Sequence, residues 1–395
     1  VNGVLSRMGL RRMSARDADA PGRVASPLEL LFDLVFVVAI SQASSNLHHL
    51  ISAGEVGQGV LSYLMVFFAV WWAWMNFTWF ASAFDTDDWL YRVMTIVQMG
   101  GVLVLAAGVH DAMVEFDYTV VTFGYVIMRL AMVGQWARLA ASDPASRGTA
   151  VRFAVGIAGV QVLWVARLAL PETWQLWTFF LLMALEICVP IVAEARGRTP
   201  WHPHHIAERF GLFTLLLLGE SLLASSNALI DALAAGEHLA DLLWLAASGL
   251  VITAAIWWIY YAREQHEALS NARRGFAFGY PHYAIFAAVG AVSAGVEVEI
   301  DKVTGQTEVS DAVAGLALTL PVAVFLLVVW AVLLRRQIAR SVSAVVVAAV
   351  LVAVAAGLLP AGEYVVAALV LTAVVVALEV DGARRVRGGV GDRVG

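Results

Sequence analysis

Cysteine and charge are both scarce in this chain. One cysteine, Cys188, among 395 residues excludes a disulfide framework and a cysteine-based zinc site, and it leaves the redox compartment unread. Charged residues make up only 14% against 61% hydrophobic, with a mean hydropathy of +0.78, well outside the composition of soluble domains. The strict alternation of barrel strands is also missing, which argues against a membrane barrel. Residues 1–26 are Arg-rich and hold no apolar stretch, so no cleavable signal peptide is expected and the first helix serves as the insertion signal. Val1 reads as an alternative start codon, with Met8 and Met13 as the other candidate starts. No nucleotide-binding loop, G-x-S-x-G elbow or H-E-x-x-H motif occurs, so enzyme chemistry has no positive evidence and no cofactor is expected.

What is present is a succession of apolar runs, each near the ~20 residues that an α-helix needs to cross a bilayer. They predict an all-α integral membrane protein of about twelve transmembrane helices, near 28–51, 60–83, 91–110, 118–140, 150–170, 173–193, 208–231, 240–262, 280–297, 311–334, 341–359 and 362–380. With both termini in the cytoplasm, 22 of the 25 basic residues fall on the inner side. Arg167 and Lys302 fall outside and Arg129 within a helix. This is the positive-inside pattern, and it predicts a protein of the cytoplasmic (inner) membrane. The acids lie largely in outer loops (Asp111, Glu115, Asp117, Glu237, Asp241, Glu297, Glu299, Asp301), so the net charge of -6 does not point to a partner. The lipid bilayer is the expected partner, nucleic acid is not, and the oligomeric state is unread.

The two halves resemble each other. Trp71-Trp72 matches Trp257-Trp258, Ala107-Gly108-Val109 matches Ala294-Gly295-Val296, Trp136-Ala137 matches Trp330-Ala331, and Ala184-Leu185-Glu186 matches Ala377-Leu378-Glu379. The offsets of 186, 187, 194 and 193 residues form one register with small insertions. They predict two parallel six-helix repeats, at 27–193 and 208–380, joined by a cytoplasmic linker at 194–207 and flanked by cytoplasmic tails at 1–26 and 381–395. The interface between repeats is the expected place for a site.

A charge at the bilayer centre costs on the order of 3 kcal/mol, so embedded ionisable groups are site candidates. Glu220 lies roughly 18 Å along a helix that begins at Glu208, near the midplane. It is the deepest acid, and Arg129 is the only base at similar depth, so the two are expected to pair. On the seventh helix Arg209, Phe213, Leu216, Glu220 and Asn227 share one face, a stripe expected to point inward. Glu29 and Asp33, one turn apart on the first helix, project on one face. Glu29 follows Ser26-Pro27, a helix-start sequence, and suits the positive end of the helix dipole. Asp33 lies a turn deeper, where a buried partner or a proton is expected instead.

Other groups carry smaller weight. "WHPHH" at 201–205 offers His202, His204 and His205, but the neighbouring prolines and the lack of a spaced carboxylate favour a solvated loop, and no metal is expected. His110 and His282 suit helix ends, Asn76 could hydrogen-bond across helices, and Glu186 and Glu379 read as snorkelling acids near inner helix ends.

Two stretches go further. "PLELLFDLVFVVAISQ" at 27–42 and "HIAERFGLFTLLLLGES" at 205–221 resemble the two most recognisable segments of the bacterial low temperature requirement protein A (LtrA) family. The motif residues are Glu29, Phe32, Asp33, Phe36 and Gln42, then Glu208, Arg209, Phe210, Gly211, Gly219 and Glu220. The resemblance implies a membrane topology and supports these positions as a site; it implies no particular substrate or reaction. The leading expectation is a secondary transporter of a small solute or ion, with protons as the candidate coupling ion. The pathway would comprise Asp33, Glu220, Arg129, Arg209, Glu29, Glu208, Gln42 and Asn227. The alternatives are a membrane-embedded binding or sensory protein, or a lipid-modifying enzyme, with an apolar groove between repeats, and a scaffold whose charges only fix helix register.

Overall fold

The computed structural model describes residues 9–17, 24–235, 238–265, 269 and 272–391. Val1, Arg7, Met8, Arg23, Glu237 and Arg393 lie outside them. Inside a hydrocarbon layer no water satisfies backbone polar groups, and a helix satisfies them within its own segment. All regular structure among the described residues is accordingly helical. In chain order the α-helices are α1 (Pro27–Ser52), α2 (Val56–Phe84), α3 (Trp89–Ala107), α4 (Thr119–Ser142), α5 (Arg147–Arg167), α6 (Glu172–Glu194) and α7 (Pro203–Ala235). They continue with α8 (Leu239–Tyr261), α9 (Ala272–Gly279), α10 (His282–Val303), α11 (Asp311–Val329), α12 (Arg340–Ala356) and α13 (Glu363–Gly391). Among the described residues ten helical segments are long and apolar enough to cross a bilayer, and α12 is a shorter apolar helix.

Several ends differ from the expectation. α7 starts at Pro203 rather than 208 and runs for 33 residues; proline suits a first helical turn because its missing N–H would be unpaired there anyway. α10 runs on to Val303, and Gly305, with φ of 72°, follows its end in the left-handed conformation that terminates helices. Glu297, Glu299 and Asp301 therefore stand on the last turns of a helix and not in a loop.

The chain divides into two compact units, one of Val1–Ala43 with Met65–Phe210 and one of Ser44–Leu64 with Gly211–Gly395. In the first, α3 and α4 approach backbone to backbone. A Cβ on Gly124 would stand 2.4 Å from Leu105 N, and one on Gly101 2.8 Å from Gly124 O. In the second, α10 and α11 do the same: a Cβ on Gly295 would stand 2.5 Å from Ala317 O. Small residues make such contacts possible, because between helices in lipid the attraction is packing and not water exclusion. Gly124→Ala is expected to lower stability by ~1–3 kcal/mol, while Gly100→Ala, where nothing lies within 4 Å of the added carbon, leaves it unchanged or raised; thermal unfolding of the two variants in detergent checks this.

The loop before α3 is tied by Asp88. Its carboxylate accepts from Tyr91 N at 3.0 Å, capping α3, from Arg11 N at 2.9 Å, and from Arg138 Nη1 at 2.9 Å. Burial alone would raise this carboxyl, but the bonds from Arg138, Tyr91 and Arg11 outweigh it and hold it below the usual carboxylate range. A depressed folded pKa stabilises above the ordinary carboxylate value of ~4 and ceases to do so as pH falls through the folded value. Asp88→Asn should therefore cost about 1 kcal/mol at neutral pH and nothing in strong acid, as read from denaturation midpoints across pH.

Candidate functional site

Glu29 and Asp33 meet Arg209 in the first unit. All three side chains are buried. Arg209 Nε donates to Asp33 Oδ2 at 3.1 Å, and Nη2 donates to Asp33 Oδ1. Nη1 lies 2.9 Å from Glu29 Oε1, close as a charge but out of line for a hydrogen bond. Trp74 Nε1 donates to Asp33 Oδ1 at 2.7 Å. Glu29 also accepts from Ser26 N at 2.8 Å, so it caps its helix as well as facing the cation. His205 Nε2 stands 3.2 Å from Glu29 Oε1 and is fully buried. Phe32, Phe77 and Phe210 close the surroundings, with ring centroids 4.0 Å apart for Phe32–Phe77 and 5.0 Å for Trp74–Phe210. The cluster thus joins two acids one turn apart on α1, the indole of α2, and a histidine and an arginine one turn apart on α7.

Charge counting gives this cluster its chemical character. Two carboxylates face one permanent cation, and only a protonated His205 or a protonated acid makes the sum neutral. Unbalanced charge out of water is expensive, whereas a proton moved among His205, Glu29 and Asp33 keeps the balance. His202 and His205 are buried and only His204 is exposed, which corrects the expectation of a solvated loop. The five extra residues of α7 place His205 on the same face as Arg209. Among the described residues no group of three His, Cys, Asp or Glu can hold a metal ion.

Within the first unit the partner of Arg129 is Glu186, where Glu220 had been expected. Arg129 Nη2 donates to Glu186 Oε2 at 2.8 Å, and Glu186 also accepts from Trp72 Nε1 at 3.0 Å and Gln161 Nε2 at 2.8 Å. Equal depth in the membrane does not set which helix faces which, and Glu186, eight residues from the end of α6 or roughly 12 Å, is deep enough to be the partner. It is fully buried and not a snorkelling acid. Glu220 sits at the middle of α7, half-buried, with no hydrogen bond or ion pair among the described residues. Along its stripe Arg209 and Phe213 are buried while Leu216, Glu220 and Asn227 are half-buried. Glu208 accepts from Ala25 N at 3.2 Å, and Gln42 is exposed. Asn76 donates to Trp72 O within its own helix at 2.7 Å, not across helices.

Residue reading missed Trp74 and Gln161 as partners, and in the second unit it missed His48. His48 lies between Glu297 Oε2 at 3.1 Å and Asp301 Oδ2 at 2.6 Å, with Ser52 Oγ donating to Asp301 at 2.7 Å. The available signal was the i, i+4 spacing of the two acids. In the same unit Trp258 Nε1 donates to Glu379 Oε1 at 2.8 Å.

Apolar helices in this number, with ion pairs sealed among them, define a multi-pass membrane protein. The sequence profile of the Bacterial low temperature requirement A protein (LtrA) family matches residues 24–380, and the chain belongs to that family. It is also similar to an uncharacterized protein of Rhizobium meliloti (strain 1021), 27% identical over 263 residues. That similarity covers 63% of this chain and spans 61% of the relative's length. No solved structure matches the chain.

Removing either member of the Arg129–Glu186 pair leaves a buried charge unmatched. Arg129→Gln and Glu186→Gln should each cost ~3–5 kcal/mol, and the double variant less than their sum; chemical unfolding of the four proteins closes the cycle.

Proposed function

We propose that this protein is a secondary transporter of a small solute or ion, with protons as the coupling ion. The single observation that carries this reading is the sealed cluster of Glu29, Asp33, Arg209 and His205, whose charge balances only with one added proton. A group of this kind couples protonation to helix position, because loss of the proton leaves α1 and α7 holding an uncompensated charge. Glu220, at the middle of α7 without an ion-pair partner among the described residues, is the second proton or cation carrier. Arg129, held by Glu186, belongs to the frame and not to the pathway.

The proposal includes twelve spans in two parallel six-helix repeats, at 27–193 and 208–380, with both termini on the cytoplasmic side of the inner membrane. Matched internal contacts support the duplication. Trp72 bonds Glu186 and Trp258 bonds Glu379, both at register-matched positions. Gly108 and Gly295, also matched, each lie against the next apolar helix. The distribution of arginine supports the orientation.

A second reading has one observation in its favour. In the second unit an apolar groove of about 460 Å³, lined among others by Leu47, Val60, Tyr63, Tyr283 and Pro321, has room for an acyl or prenyl chain. A lipid retained there through purification, identified by mass spectrometry, would favour a lipid-binding or lipid-modifying protein.

The deciding experiment is reconstitution in proteoliposomes containing a pH-sensitive dye, pulsed with panels of small solutes and salts. Solute-dependent proton movement is expected, with Asp33→Asn and Glu220→Gln inactive at normal expression. Transport and pH dependence that survive both substitutions would remove the proton-carrier role.

A further inference from the structure

Arg167, the last residue of α5, is a buried charge that the pairs above leave over. Its side chain is 2% exposed, and no Asp or Glu among the described residues lies within ion-pairing distance of it. Nε donates to the carbonyl of Gln175 at 3.0 Å, while Nη1 and Nη2, both buried, have no hydrogen-bond partner. The rings of Tyr118, Phe179 and Trp164 enclose the guanidinium, with centroids 5.0, 5.6 and 5.9 Å from Cζ. Ring faces attract the cation, but they neither accept its in-plane N–H bonds nor cancel its charge.

A cavity of about 20 Å³ adjoins it, lined by Arg167 with Tyr118, Thr122, Tyr125, Trp164 and Phe179 among others. Its size is that of one water-sized particle. Most of its wall is apolar; the polar side chains that reach it all carry donors, and none is a carboxylate. Trp164 Nε1 is buried and unpartnered, and among the described residues the only acceptor placed at the Tyr118 hydroxyl is the Met65 sulfur at 3.7 Å. A water would accept one or two of these bonds and leave the charge unmatched. A phosphate, with four oxygens around phosphorus, is several times larger than a water-sized particle, whereas a monatomic anion is only modestly larger than one. A monatomic anion meets both demands at once.

We propose that Arg167 and this cavity form a binding site for a halide ion, chloride under cellular conditions, held by the guanidinium Nη groups with donors from the aromatic wall. The site is independent of the proton cluster, and it does not require the transporter reading.

The test uses the full-length protein in detergent with gluconate as the only anion, titrated with chloride, bromide or sulfate while thermal unfolding and chloride NMR line width are followed. Chloride and bromide should stabilise saturably and compete, sulfate should not, and Arg167→Gln should lose the effect. Tyr118→Phe keeps the ring and should fold normally while weakening halide affinity about tenfold, the loss of one bond to a charged group. Equal action of chloride and sulfate would mean general salt stabilisation and overturn the site. Halide affinity unchanged in Tyr118→Phe overturns it as well, whether or not Arg167→Gln folds.

Discussion

Arg209 held by Asp33 and Glu29 is the constraint around which the first unit is organised. A guanidinium cannot shed its proton to escape burial, so a fully buried arginine demands carboxylates in fixed positions. Two acids one helical turn apart supply them, and Trp74 fixes the deeper one by donating to the oxygen that also meets Nη2. The relative placement of α1, α2 and the first turns of α7 within that unit follows from this one demand. A buried pair of this kind adds little net stability compared with a hydrophobic replacement; its physical role is to specify which faces meet and to keep a titratable histidine in contact with a carboxylate.

The Arg129 site works on the same principle with the opposite outcome. One cation meets one anion, and Trp72 and Gln161 complete the acid's bonds. No proton is needed for neutrality, and the site has the character of a clamp. The contrast between a balanced pair and a cluster one proton short distinguishes the frame of the molecule from its candidate working part. Among its described residues the first unit thus holds three buried arginines in different states: one over-compensated, one matched and one without a carboxylate.

Much of the fold was legible because hydropathy reports the membrane directly: apolar length, helix class and the acids at the mouth of α1 could all be read. Asp33, past the reach of the helix dipole, was expected to need a buried partner or a proton, and in the structure it meets Arg209. Partner identity was harder. Depth along a helix can be counted from sequence, but rotation and neighbour choice depend on packing, so Arg129 was matched to Glu220 when Glu186 was its partner. His205 was missed as a cluster member because α7 was started at 208; Pro203 marks the true start, and moving the helix back by that amount brings the histidine onto the Arg209 face. Arg167 carried no motif at all, and its isolation shows only when the surrounding side chains are in place.

The most direct test of the central claim is the protonation of His205, read by nitrogen NMR of the labelled imidazole in the full-length protein across pH. A single-proton cluster predicts that the His205 signal titrates and that Glu29→Gln or Asp33→Asn, by removing one negative charge, makes the imidazole easier to deprotonate. An imidazole whose protonation is unchanged by either substitution, with Glu29 and Asp33 both ionised by carboxyl carbon NMR, would contradict the account, since the charge of the cluster would then be balanced elsewhere.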